Sequence, residues 1–112
     1  MQPTIFHKII AGEIPADIVY DTEEVLGFKD IHPQAPTHIL FIAKLEKDFV
    51  PSIIDITEET AHVPTKLIQA AKEFASEQGI EGYQLKFHCG KDGGQEVMHL
   101  HLHFLSSQKL ND

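Results

Sequence analysis

Residues Met98–Leu105 read MHLHLHFL, three histidines in strict alternation with apolar residues. Successive side chains of a β-strand point to opposite faces. The pattern therefore predicts a strand with His99, His101 and His103 on one face and Met98, Leu100, Leu102 and Phe104 on the other. On an α-helix a step of two residues turns by about 200°, which would scatter the imidazoles around the cylinder. The apolar face is expected to build core, leaving the histidine face for another purpose.

Upstream of this strand, CGKDGGQ (89–95) interrupts the chain with three glycines. Before it, EGYQLKFH (81–88) alternates Tyr83, Leu85 and Phe87 with Gln84, Lys86 and His88, which predicts a half-buried strand. The stretch Thr57–Gln78 places Val63, Leu67, Ala70, Ala71 and Phe74 on one helical face, with Thr57 as N-cap and Gly79 as the stop. Pro64 conflicts with an uninterrupted helix and predicts a kink or a delayed start, with a bend or 3₁₀ turn there. In DIHPQAPTHILFIAK (30–44), Pro33 and Pro36 forbid regular structure. The apolar run Ile39–Ala43 then reads as a strand buried on both faces, central in its sheet. Ile18–Asp21 and Val25–Lys29 read as a hairpin around a polar turn. Ile5, Phe6, Ile9 and Ile10 have the spacing of a short N-terminal helix that Gly12 and Pro15 end. Together these elements predict one α+β domain over residues 1–112: about five strands in a mainly antiparallel sheet, a short N-terminal helix and one long helix.

The composition bounds what this domain can do. At 112 residues there is room for a single modest core. A hydrophobic content of 42% and a charged content of 23% are ordinary for a globular chain. No apolar run approaches the ~18 residues of a membrane span, and MQPTIFHKII carries no basic leader before an apolar segment. A cytoplasmic address without membrane association is expected. The single cysteine, Cys89, cannot form an internal disulfide and reads as a small hydrophobe rather than a nucleophile. A formal net charge of −8 argues against binding long nucleic acid, whose phosphates need a basic stripe. It leaves room for a mononucleotide, because histidines and backbone N–H groups can favour phosphate locally.

Two chemistries use converging imidazoles, and alternate strand positions lie roughly 6.5 to 7 Å apart, close enough for convergence. One is metal binding, with two strand histidines chelating an ion and His38 or His88 completing the set. The other is phosphoryl or nucleotidyl transfer, in which one imidazole attacks phosphorus and its neighbours donate to oxygens gathering negative charge. The glycine turn beside the strand would add backbone N–H groups to the second.

HLHLHFL (99–105) matches the His-φ-His-φ-His-φ-φ signature of the histidine-triad (HIT) family, and GGQEV (93–97) resembles its Hint branch of nucleotide-binding proteins. The resemblance extends through KIIAGEIPA (8–16), FKDIHPQAPTH (28–38) and DGGQEVMHLHLH (92–103), nearly the whole chain. It implies a HIT-like fold and a homodimeric purine nucleoside phosphoramidate hydrolase with no cofactor, the two five-stranded sheets joined across the dimer. His101 would be the nucleophile that takes up the nucleoside monophosphate, its far nitrogen oriented by the carbonyl of His99. His103 would donate to phosphate oxygens or to the leaving amine, with His99 and His38 supporting. Asp30 would accept from the ribose hydroxyls, or serve only as a turn residue before the proline loop. Ile5, Phe6, Ile9, Phe28, Ile31 and Leu40 would line the base slot. Gly94, Gln95 and Glu96, with Val97 beside them, would meet the phosphate.

Three departures from the family pattern stand out. His88 occupies the place of an asparagine that helps hold ribose or phosphate. Glu96, often serine in animal members, resembles bacterial ones, and a carboxylate there would contribute its N–H rather than its side chain. The tail SSQKLND stops soon after the triad, whereas many branch members continue into an extension that can reach the partner's site, so the resemblance does not carry over selectivity for the leaving group. Related branches use the same triad as dinucleoside polyphosphate hydrolases or nucleotidyltransferases. A non-catalytic nucleotide-binding module and a zinc-binding module are the alternatives of another class.

Overall fold

The computed structural model describes residues 3–110. The apolar run predicted to be central forms β3 (Thr37–Ala43), buried at every position. It is the middle strand of a five-stranded antiparallel sheet that also contains β1 (Ile18–Asp21), β2 (Val25–Lys29), β4 (Gln84–Lys86) and β5 (Leu102–Ser106), in the order β1-β2-β3-β5-β4. A short helix, α1 (Ile5–Ile10), and a long one, α2 (His62–Gln78), complete the α+β architecture.

Alternation along β3 and β5 divides the core into two. Ile39 and Phe41 of β3, with Leu102 and Phe104 of β5, pack against Val63, Leu67 and Phe74 of α2. Phe41, Phe74 and Phe104 meet edge to face with centroids 5.4 to 6.2 Å apart. On the other face Leu40 and Ile42, with Leu26 and Phe28 of β2, cover Phe6 and Ile9 of α1. His38 and His103 share this second face with Leu40, which pairs directly with His103. Gly27 is required by a close approach: a Cβ there would lie 2.8 Å from the ring of Phe41, its partner across the ladder.

Asp48, buried in the loop after β3, ties that loop to α2 through Lys66 Nζ (2.6 Å) and His62 Nε2 (2.9 Å). Burial alone would raise the Asp48 pKa, but the hydrogen bonds from Lys66 and His62 outweigh it and hold the carboxyl below its ordinary value. Phe49 and Val50, the next two residues, border the histidine row, so this brace also positions the site's edge.

Three local expectations are corrected. Helix α2 begins at His62, not beside Thr57, and its N-cap position is Ala61. Thr57 instead closes a separate turn with Thr60. Pro64 thus falls third in the helix, in the first turn, where a backbone N–H has no intrahelical acceptor to lose. β4 is shorter than predicted and exposed along its length, because it is an edge strand. β5 begins only at Leu102: the Leu100 N–H bonds to the Val50 carbonyl (2.8 Å), drawing the preceding residues off the ladder. Met98 lies in that lead-in and is 43% exposed instead of joining the core.

Candidate active site

The four histidines His38, His99, His101 and His103 are all buried. β3 supplies His38, β5 supplies His103, and the extended lead-in to β5 supplies the other two. His38 lies diagonally across the ladder from His103, since its direct partner is Leu105. The ring centroids of His101 and His103 are 4.9 Å apart, and those of His88 and His103 are 4.3 Å apart.

Their hydrogen bonds fix where the protons sit. The Gln34 N–H donates to His38 Nδ1 (3.2 Å), so neutral His38 carries its proton on Nε2. That nitrogen is 3.0 Å from His103 Nδ1, which must then accept, leaving the His103 proton on Nε2. His103 Nε2 is buried and has no hydrogen-bond partner among the described residues. His101 is arranged in the opposite sense. Its Nδ1–H donates to the main-chain carbonyl of His99 at 2.7 Å, leaving a lone pair on Nε2. The row thus sets a free nucleophilic nitrogen on one ring beside an unengaged N–H on the next.

Burial keeps these rings neutral. It is the largest influence on each and pushes every pKa down, His99 to about 3 and His103 to about 4. The neighbouring rings add to the effect on His99 and His103. For His101 burial also dominates, opposed by the bond to the His99 carbonyl, and for His38 it is opposed by Asp30. An imidazole that is unprotonated at neutral pH is a competent nucleophile.

The apolar residues divide. Phe6, Ile9, Phe28 and Leu40 form one buried cluster with Val97 packed against it. Phe6 stands edge-on to His101 (5.0 Å) and to Phe28 (5.5 Å). Ile5 and Ile31, expected in the same slot, are 48% and 84% exposed and do not join the cluster. Ile5 lies on the outer side of a one-and-a-half-turn helix, and Ile31 is in the proline loop. Asp30 makes the turn of its second reading, Oδ1 accepting from the His32 N–H (2.8 Å), while Oδ2 faces His38 Nε2 at 3.5 Å.

The glycine turn is self-contained. The N–H groups of Gly94 and Gln95 are spent on the carbonyls of Lys91 and Gly90. The Gln95 side chain is buried and fully engaged, accepting from the Gly90 N–H and donating to the carbonyls of Pro51 and Val97. Gln95 is therefore a brace of the turn and has no group left for phosphate. Glu96 is exposed, and its N–H is the next along the chain. Gly94 has φ +90° and lies against His88, whose Nδ1 would be 3.8 Å from a Cβ built there.

Sequence reading missed Gln34, Thr4, His7 and Phe49. Gln34 acts through its main chain, which no side-chain pattern reveals. Thr4 caps α1 in a capping box whose third residue is His7 in place of the usual Glu or Gln. The box was detectable only by allowing imidazole as the acceptor.

Among the described residues, Asp30, His38 and His103 form the group that could hold a metal ion, their ligand atoms lying within 4.8 Å of one another. The His38–His103 hydrogen bond and the Asp30 contact account for this proximity with the protons already in place. In the row itself, Nδ1 of His101 and Nδ1 of His99 are both engaged in hydrogen bonds, which leaves only their Nε2 atoms as possible ligands.

Residues 3–111 match the family model described as scavenger mRNA decapping enzyme C-term binding. The purine nucleoside phosphoramidase of Escherichia coli (strain K12) is 42% identical over 111 residues, covering 97% of this chain and 91% of that protein. A 14 kDa zinc-binding protein of Zea mays is 44% identical over 110 residues, covering 97% and 85%. Among solved structures, a histidine triad protein from Clostridium difficile superposes with a TM-score of 0.87 at 39% identity, covering 100% of this chain and 98% of that one.

Proposed function

This chain belongs to the histidine-triad (HIT) family, and from that premise we propose that it hydrolyses purine nucleoside phosphoramidates through a nucleotidyl intermediate on His101. The observation that carries the reading is the pairing of opposite tautomers: His101 presents a lone pair on Nε2, and His103 beside it presents an unpartnered N–H.

In the first step His101 Nε2 attacks phosphorus, an N–P bond forms, and the P–N bond to the leaving amine breaks. The amine departs with the proton of His103 Nε2, and the proton then missing from the hydrogen-bonded His38–His103 pair is the one that the attacking water returns in the second step. As His101 becomes positively charged, its Nδ1–H bond to the His99 carbonyl strengthens. In the second step water attacks phosphorus, its proton returns along the same histidines, and the nucleoside monophosphate is released with His101 neutral. The base would sit over Phe6, Ile9, Phe28 and Leu40, an apolar slot suited to a flat purine, with Ile5 and Ile31 at its rim. Asp30 would accept from the ribose hydroxyls. The Glu96 N–H, Gly94 and His88 would face the phosphate.

The relative from Escherichia coli supports the phosphoramidase reading by its name. The name of the Zea mays relative favours a second one, in which Asp30, His38 and His103 hold zinc. Metal would then have to displace the His38 Nε2 proton, so zinc should inhibit turnover rather than support it. The reading further includes action as a single domain, a cytoplasmic setting and a homodimer paired through the exposed edge of β4. No helix among the described residues is long and apolar enough to cross a membrane.

The experiment is turnover of an adenosine phosphoramidate, a guanosine phosphoramidate and a diadenosine polyphosphate by metal-free protein. Preferred cleavage of the phosphoramidates is expected. Faster cleavage of the polyphosphate would move the assignment to another branch of the family.

A further inference from the structure

We propose that Thr4 is a positioning residue for the nucleophile: its hydroxyl sets the ring of His99, whose carbonyl aims His101, so that helix α1 and the reacting strand act as one hydrogen-bonded unit. The proposal rests on the reading of His101 as nucleophile and deepens it.

A threonine hydroxyl has one proton to give and two lone pairs. At Thr4 the oxygen accepts from the N–H of Phe6 (3.1 Å) and the N–H of His7 (3.3 Å), the capping interaction that starts α1. Both lone pairs are then used, and the O–H must be donated. His99 Nδ1 is 2.7 Å away. The competing acceptor, His7 Nδ1, is farther at 3.3 Å and already takes the Thr4 N–H at 2.9 Å. The hydroxyl proton therefore goes to His99, and His99 carries its own proton on Nε2.

The ring so fixed is walled in. Phe6 stands 5.6 Å from it, Phe49 4.8 Å and His7 4.5 Å between centroids. With its side chain locked at Nδ1 and on three sides, the His99 main chain is held as well. Its carbonyl is the acceptor that fixes the tautomer of His101. One hydroxyl thus links two segments 95 residues apart in the sequence: the helix carrying Phe6 and Ile9, and the histidine whose carbonyl aims His101. The low pKa of His99, about 3, agrees with a ring that stays a fixed acceptor at neutral pH. The first histidine of the row is on this account a part of the aiming device and takes no proton during turnover.

Capping and aiming can be separated with three variants. Thr4→Ser keeps the lone pairs and the proton. Thr4→Asp keeps acceptors for the Phe6 and His7 N–H groups but has no proton to donate, so His99 must take a proton on Nδ1. Thr4→Val loses both functions. Side-chain ¹⁵N NMR assigns the His99 proton, thermal melting reports the cap, and kcat and KM are measured on an adenosine phosphoramidate. Thr4→Ser should stay within about twofold of wild type in both constants. Thr4→Asp should melt like wild type and move the His99 proton to Nδ1. Its kcat should fall about tenfold at unchanged KM, the scale of one positioning hydrogen bond.

Wild-type kcat in Thr4→Asp would reduce the hydroxyl to a helix cap and overturn the proposal. A wild-type His99 with its proton on Nδ1 would overturn it without any substrate. Absent turnover in wild type, with His99 protonated on Nε2, would instead refute the phosphoramidase reading and leave the Thr4 bond standing.

Discussion

Replacing His99 by phenylalanine should remove a defined part of the protein's sensitivity to acid. In the folded state His99 titrates at about 3, against 6.5 for an unperturbed histidine, because the ring is buried among Phe6, His7 and Phe49. Its folded value is depressed, so between these limits the unfolded chain binds a proton that the folded chain does not. Stability therefore rises with pH across that window and is lost as pH falls through it. Each unit is worth about 1.4 kcal/mol, and integration from pH 7 to 4.5 gives about 2 to 3 kcal/mol for this one ring. His103, with a folded value of about 4, adds a loss of similar size. Asp48, whose pKa is held below the ordinary carboxylate value, loses its contribution only under more acid conditions. Phenylalanine keeps the ring contacts while removing the titration. Urea unfolding at pH 7 and 4.5, at constant ionic strength, should show that the His99→Phe variant loses about 2 to 3 kcal/mol less than wild type over this interval. Any fixed difference between the two proteins cancels in the comparison. Equal losses would show that His99 is not held neutral by the fold and would refute the burial argument.

His103→Gln should lower kcat on alkylamine phosphoramidates by about 10² to 10⁴, the usual contribution of a general acid. With a leaving group stable as an anion, the loss measured in the same steady-state assay should shrink to under about tenfold. Leu67→Ala, at a fully buried position under the Phe41–Phe74–Phe104 cluster, should cost about 2 to 5 kcal/mol in denaturant unfolding without changing the pH dependence of kcat.

What the sequence revealed follows from where each interaction is encoded. β3 was legible because burial on both faces produces an unbroken apolar run, and α2 because one buried face leaves a periodic one. The histidine alternation identified the shared face, but not the start of β5. That boundary depends on Val50, which captures the Leu100 N–H from half a chain away. Thr57 has the chemistry of an N-cap and misled for that reason; the Thr57–Thr60 turn uses the same groups locally. In the site, the residues that carry chemistry were visible as side-chain types. The partners that assign their protons were legible unevenly: the His99 carbonyl behind His101 followed from the family resemblance, whereas the main-chain amide at Gln34 and the hydroxyl at Thr4, which meets its histidine across the fold, were hidden. Ile5 and Ile31, which the resemblance assigns to the base slot, are exposed and stand outside the buried cluster, and a pattern of apolar residues does not show which of them a ligand would cover.

The central claim is that His101 Nε2 becomes bonded to phosphorus. Its most direct test is rapid acid-free quenching of the metal-free protein with an adenosine phosphoramidate, followed by peptide mapping at intervals shorter than one turnover. A nucleotidyl group on His101 that forms and decays at rates matching kcat, and is absent in His101→Ala along with turnover, is the predicted result. Turnover retained in His101→Ala, or a nucleotidyl group borne by any other residue, would contradict it.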